Sequence, residues 1–212
     1  MNFNKNDPEI FNDSESFNLP IIFLIPSIVT IIAICAGLSS IRFALNEKWE
    51  LAVLFIYIAS ILDGMDGRLA RALNATSKFG AELDSLADFI NFGVAPALII
   101  YLWQDNSLHF NNIIFSFWPL VLIFAACSAI RLARYNTHIG FTENEKWKEH
   151  FFFGMPAPTS ASLLMLPLAM NFFIKENELL QNLELNLSVW YLGTYMFIIS
   201  LLMISRVPML SF

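Results

Sequence analysis

The stretch ILDGMDGRLARALNATSKFGAELDSLADFINFGVAPA, residues 61–97, decides the fold. It places acids inside two apolar runs: Asp63 and Asp66 three apart, Asp84 and Asp88 four apart. On a helix either spacing puts the pair on one face. The run LNATSKF between them is short enough to make the two helices antiparallel neighbours, so four carboxylates converge. Charged groups within membrane segments are costly and mark function. Four unpaired carboxylates at one place would repel one another, and a bound divalent cation resolves the conflict. Ligation by oxygen alone points to Mg²⁺ or Mn²⁺; zinc would call for Cys and His ligands. Gly64, Gly67 and Ala70 clear one face of the first helix, and Gly80 does the same at the start of the second. A phosphate can then approach the backbone. Arg71 offers a fork of donors suited to phosphate oxygens, and Ser77 a hydroxyl. Carboxylates, cation, arginine and glycines together describe a pyrophosphate site with a Lewis-acid clamp.

Outward from this stretch the chain is a membrane protein by composition. Of 212 residues, 57% are hydrophobic and 14% charged, against about 25% charged in a soluble domain. Six segments approach the roughly 20 apolar residues of a spanning helix: 19–43, 50–72, 82–103, 112–134, 155–174 and 187–205. The fold class read from them is all-α, a single bundle of six transmembrane helices over 19–212, because lipid cannot satisfy an open backbone. Alternation of the β-barrel kind is absent. Trp103, Trp118 and Trp190 sit near segment ends, as interfacial aromatics do.

Residues 1–18 form an acidic segment (Asp7, Glu9, Asp13, Glu15) without the basic start of a cleavable signal peptide. Net charge is −6, which gives no reason to expect a nucleic-acid partner. Cys35 and Cys127 lie in apolar runs and read as buried thiols, not a disulfide framework. His109, His138 and His150 lack ligand spacing.

The basic residues set an orientation. Lys5, Arg68, Arg71, Lys78, Arg131, Arg134, Lys146, Lys148 and Arg206 fall on one side, and only Arg42, Lys48 and Lys175 on the other. The positive-inside rule puts both termini, the 72–82 turn and the 135–154 loop in the cytoplasm, as in a multi-pass protein of the cell's inner membrane.

The stretch also resembles the signature of the CDP-alcohol phosphatidyltransferase family, D-x-x-D-G-x-x-A-R-x8-G-x3-D-x3-D. Asp63, Asp66, Gly67, Ala70, Arg71, Gly80, Asp84 and Asp88 fill every fixed position. The resemblance implies a six-helix bundle and attack of an acceptor hydroxyl on the β-phosphate of a CDP-linked lipid, with release of CMP. It implies that Asp63, Asp66 and Asp84 hold one metal ion, and Asp63, Asp84 and Asp88 a second. Asp88 would also be the base for the acceptor hydroxyl, a role open to a carboxylate within hydrogen-bond reach. Gly67, Ala70, Arg71, Ser77 and Gly80 would contact the CDP-lipid. In the first helix the family often shows P-N-x-x-T-x-x-N-x-x-x-G. Here PSIVTIIAICAG keeps Pro26, Thr30 and Gly37, with Ser27 and Ala33 in place of the asparagines; Ser27 and Thr30 would join the CDP-lipid contacts. Homodimers, usual in the family, are implied as well.

Outside the shared signature, DSLADFINFGVAPA, RLARYN at 131–136, FFFGMPAPTSA at 151–161 and the ending SRVPMLSF are similar to the membrane-embedded phosphatidylserine synthases of bacteria. The substrates implied are CDP-diacylglycerol and L-serine. An amino-acid acceptor needs a cation for its carboxylate, and Arg131 and Arg134 close the fourth helix on the side of the aspartates, with Asn136 adding an amide. Headgroup snorkelling is the other use of arginines there. Two rival readings are weighed. A sibling transferase would take glycerol 3-phosphate, inositol phosphate or choline, but a phosphorylated acceptor asks for more basic residues than are seen. A cation channel would use the aspartates as ion ligands, yet leaves Arg71 and the glycines unexplained.

Overall fold

The computed structural model describes residues 21–75, 77–107, 117–139, 151–153, 155–176, 189–205 and 208–210. The acidic segment 1–18, most of the 135–154 loop, His109 and His150 lie outside the described residues.

Helix α1 (Ile21–Leu45) and helix α2 (Trp49–Ala72) pack along each other. The reason is legible in α1: Ser27, Thr30, Ala33, Gly37, Ser40 and Ala44 recur at helical spacing and are all buried or glycine. Small side chains let two backbones approach closely where the hydrophobic effect gives no drive between helices. The opposite face carries Leu24, Ile28, Ile31, Ile32 and Leu38, all exposed, as a lipid-facing surface requires.

Both turns at the ends of α2 are closed in the same way. Glu47 has φ 59°, with its N–H bonded to Ala44 O and that of Lys48 to Phe43 O, each at 3.0 Å. Asn74 has φ 50°, its N–H bonded to Arg71 O at 3.2 Å and that of Ala75 to Ala70 O at 2.9 Å. These are Schellman closures with the left-handed residue just past the helix end. Asn tolerates that backbone; Glu gives no sequence signal for it. Helix α3 (Lys78–Asp88) then starts at Ser77, whose Oγ accepts from Gly80 N at 3.0 Å, an ordinary serine N-cap.

Helix α3 runs on without a break through a π-helical turn, Phe89–Val94, into α4 (Ala95–Ser107). The expected 82–103 segment is thus one rod from 78 to 107, with an inserted π turn directly after Asp88. Residues of α1, α5 and α6 press closely on that turn. Phe92 packs on Ala157 and Ala161 of α6 (Ala157–Glu176). Gly93 meets Ser128 of α5 (Trp118–Ile139), where an added Cβ would lie 2.7 Å from the hydroxyl. Asn91, fully buried, presses on Gly37 of α1 so closely that a Cβ there would overlap its amide. Gly37→Ala should therefore destabilise the fold by about 1–3 kcal/mol through overpacking, read as a lower unfolding temperature in detergent. An unchanged temperature would show that α1 shifts freely against this turn.

Helix α7 (Val189–Ile204) packs against α5 and completes the bundle. Ile56, Ile99, Phe124, Leu164, Leu168 and Met196 meet in its interior, away from the acids. Among the described residues, four helical stretches are long and apolar enough to cross a membrane: Leu24–Leu45, Lys78–Gln104, Trp118–Thr137 and Ala157–Ile174. Helix α2 has the length, at 24 residues, but carries the charges of the site. Helix α7 spans 16 described residues. The all-α multi-pass bundle read from the sequence is the architecture observed, with one addition. Phe151–Phe153 (β1) and Pro208–Leu210 (β2) pair antiparallel, Phe152 opposite Met209. This two-strand ribbon joins the approach to α6 with the chain after α7.

Candidate active site

The α2 and α3 carboxylates do converge. Asp63, Asp66 and Asp84 each present an oxygen, and the three oxygens lie within 4.8 Å of one another. Asp88 comes within hydrogen-bond reach of Asp63, while Asp63 Oδ1 stays buried without a partner. Asp66 is only 3% exposed, and its Oδ2 accepts from Thr30 Oγ1 at 2.6 Å. That contact gives Thr30 a second function: besides facing the cavity described below, it fixes the direction of an acidic ligand from the neighbouring helix. Orientation of this kind is as much part of a metal site as the ligands themselves. An orphaned buried carboxylate oxygen, three acids at this spacing and a hydroxyl holding one of them fit a hard divalent cation.

Beside the acids lies a cavity of ≈160 Å³, bounded by α1, α2 and the start of α3. Six residues expected to contact the CDP-lipid line it: Ser27, Thr30, Gly67, Ala70, Ser77 and Gly80. Asp66 and Asp84 lie on its wall, so cavity and carboxylates are continuous. Gly64 and Gly67 have open space where a Cβ would project, and Gly67 opens into the cavity. The N-terminal turn of α3 also faces it through Ser77, Gly80 and Ala81. A helix N-terminus aimed into a pocket favours anions. Pro26 of the first-helix motif, Ala75 and Ala81 complete the lining; the two alanines, plain apolar residues, carry no signal of their own in the sequence. Arg71 is the exception among the expected contacts: it is exposed on the last turn of α2 and outside the lining.

The other side of Asp88 belongs to α5. Arg131 is partly buried with its charge facing Asp88, and its Nη1 is buried without a partner. Arg134 points elsewhere, Nη1 donating to Ile204 O at the end of α7 at 3.1 Å. Asn136 Nδ2 donates to Ser85 Oγ on α3 at 3.0 Å. The three polar residues expected to act together thus divide: Arg131 toward the acids, Arg134 toward α7, Asn136 toward the outer turn of α3. Ser85 was not anticipated, although it sits between two acids of the signature.

The geometry agrees with what similar proteins are. The sequence profile of the CDP-alcohol phosphatidyltransferase family matches residues 23–205. A CDP-diacylglycerol–serine O-phosphatidyltransferase of Mycobacterium bovis is 40% identical over 186 residues, which is 88% of this chain and 60% of that protein. The protein of the same name from Bacillus subtilis is 37% identical over 142 residues, 67% of this chain and 73% of its own length. That from Helicobacter pylori is 40% identical over 145 residues, covering 68% and 57%. The chain therefore spans about 60% of the length of the mycobacterial relative. With its signature acids gathered on α2 and α3 beside the cavity, and the profile running through all but the ends, this chain belongs to the CDP-alcohol phosphatidyltransferase family.

Proposed function

We propose that the protein makes phosphatidylserine and CMP from CDP-diacylglycerol and L-serine. The observation that carries the reading is the two-sidedness of the acid cluster: a cavity of ≈160 Å³ on the α1 side, and on the α5 side the Arg131 guanidinium, whose buried Nη1 has no partner. The names of the relatives support the same acceptor.

The cavity takes the cytidine diphosphate, with the α3 N-terminus and the open face of Gly67 against the pyrophosphate. Asp63, Asp66 and Asp84 would hold one Mg²⁺ or Mn²⁺, and Asp63, Asp84 and Asp88 would hold a second. Such ions, when bound, neutralise charge on the phosphoryl oxygens. Asp88 takes the proton of the serine hydroxyl as its oxygen bonds to the β-phosphorus; the bond from that phosphorus to the bridging oxygen breaks, and CMP leaves with the electron pair. Arg131 receives the serine carboxylate, and Asn136 offers its amide oxygen to the ammonium. Arg71, exposed on the last turn of α2, meets the pyrophosphate as the lipid enters. Each substrate is thereby oriented before any bond changes, the larger part of what such a site supplies.

Two working conditions go with this reading: a homodimer, and an inner-membrane setting with the acids and both termini toward the cytoplasm. Lys78→Cys, in a background without Cys35 and Cys127, should react with an impermeant maleimide only from the cytoplasmic face. Reaction from outside would reverse the orientation. The acceptor itself is tested by supplying serine, glycerol 3-phosphate, inositol phosphate and choline in turn. Serine alone should drive CMP release, and preference for another alcohol would replace phosphatidylserine synthesis by a sibling reaction.

A further inference from the structure

The rod formed by α3 and the π turn faces α5 at three successive levels. Deepest, Ser128 abuts Gly93. One turn toward the mouth, Arg131 faces Asp88. At the mouth, Asn136 Nδ2 donates to Ser85 Oγ at 3.0 Å. Ser85 in turn donates to Ala81 O, one turn back on α3, at 3.0 Å. Its hydroxyl therefore has a settled direction: the proton goes to the helix backbone and a lone pair to the α5 amide.

That arrangement decides which end of the Asn136 amide is spoken for. The nitrogen is held by Ser85. The oxygen approaches the same hydroxyl only at 3.5 Å, a distance at which little bonding remains. It is left as an acceptor at the edge of the site. Without Ser85 an exposed Asn side chain turns over freely, presenting nitrogen as often as oxygen, since the two ends have the same shape. Presenting a donor to an ammonium group is repulsive; presenting the carbonyl is not.

The geometry points to Ser85 as a specificity-determining positioning residue, which fixes the Asn136 amide so that its oxygen faces the amino group of an amino-alcohol acceptor. Acceptor recognition then has three separate points: Arg131 for the carboxylate, Asp88 for the hydroxyl proton and the Ser85-held Asn136 for the amine. Ser85 touches no substrate and reaches the reaction only through Asn136. The role rests on serine being the acceptor.

The test is steady-state kinetics of Ser85→Ala and Ser85→Thr in the full chain. One neutral hydrogen bond at a solvent-accessible mouth corresponds to about three- to tenfold in affinity. Ser85→Ala should raise the KM for serine by that factor, leaving the KM for CDP-diacylglycerol and kcat near wild type. Ser85→Thr, which keeps the hydroxyl, should restore it. Inhibition by 3-hydroxypropanoate, which lacks the amine, should be equal in wild type and Ser85→Ala. An unchanged serine KM in Ser85→Ala overturns the role. So does a parallel rise for the lipid donor or weakened 3-hydroxypropanoate inhibition, either of which would mark Ser85 as a helix staple. A wild type that ignores serine would instead overturn the acceptor assignment, and this role with it.

Discussion

Asp84→Asn and Asp63→Asn should each abolish CMP release while leaving a folded, detergent-soluble protein. The change is nearly isosteric, so packing is kept. What is lost is a charge from the set of oxygens that lie within 4.8 Å of one another. Charge stabilisation by a bound metal is worth several kcal/mol, and at 1.36 kcal/mol per tenfold the loss is on the order of a hundredfold or more. Binding separates the metal's part from a general loss of activity: Mn²⁺ titration followed by electron paramagnetic resonance should show weaker binding in both variants. Thr30→Val should give a smaller effect in the same direction, because it releases Asp66 without removing a ligand. Near-normal turnover in Asp84→Asn would remove the metal site from the account.

The second large effect concerns Arg131. The guanidinium is partly buried with its charge facing Asp88, and its buried Nη1 has no hydrogen-bond partner. A hydrogen bond to a charged group is worth about 1.5–3 kcal/mol, which is roughly tenfold to more than a hundredfold in affinity. Arg131→Ala should raise the KM for serine by that factor with little change for CDP-diacylglycerol. Arg134→Ala should behave differently. Its guanidinium is bonded to the Ile204 carbonyl, so its loss frees the end of α7 and lowers thermal stability before it alters the serine KM. Wild-type serine kinetics in Arg131→Ala would move the acceptor to another wall of the site.

The contrast between these arginines shows where a sequence stops being readable. The aspartates were legible because spacing within one helix fixes a face, and a short connection fixes the partner helix. Gly67, Ala70, Ser77 and Gly80 of the cavity lining were legible from their set distances to the acids, while Ser27 and Thr30 came from the family resemblance. Arg131 and Arg134 are three apart and also share an approximate face, yet one meets Asp88 and the other the end of α7. That outcome is set by the packing of α7 on α5, a long-range contact with no local signature. The π turn after Asp88 is similar: nothing in FINFGV announces it, and it exists beside the close approaches of Gly37 to Asn91 and Gly93 to Ser128. Glu47 adopts a left-handed backbone that its residue type disfavours, within the hydrogen-bonded turn that closes α1. The β1–β2 ribbon pairs segments more than fifty residues apart, beyond any periodicity.

The most direct test of the central claim follows both products of one reaction. Purified protein in detergent with Mn²⁺, CDP-diacylglycerol and carbon-14-labelled serine should release CMP and form labelled lipid in a one-to-one ratio, with neither product when metal or serine is omitted. CMP released without incorporation of serine, or no CMP under any of these conditions, would contradict the assignment.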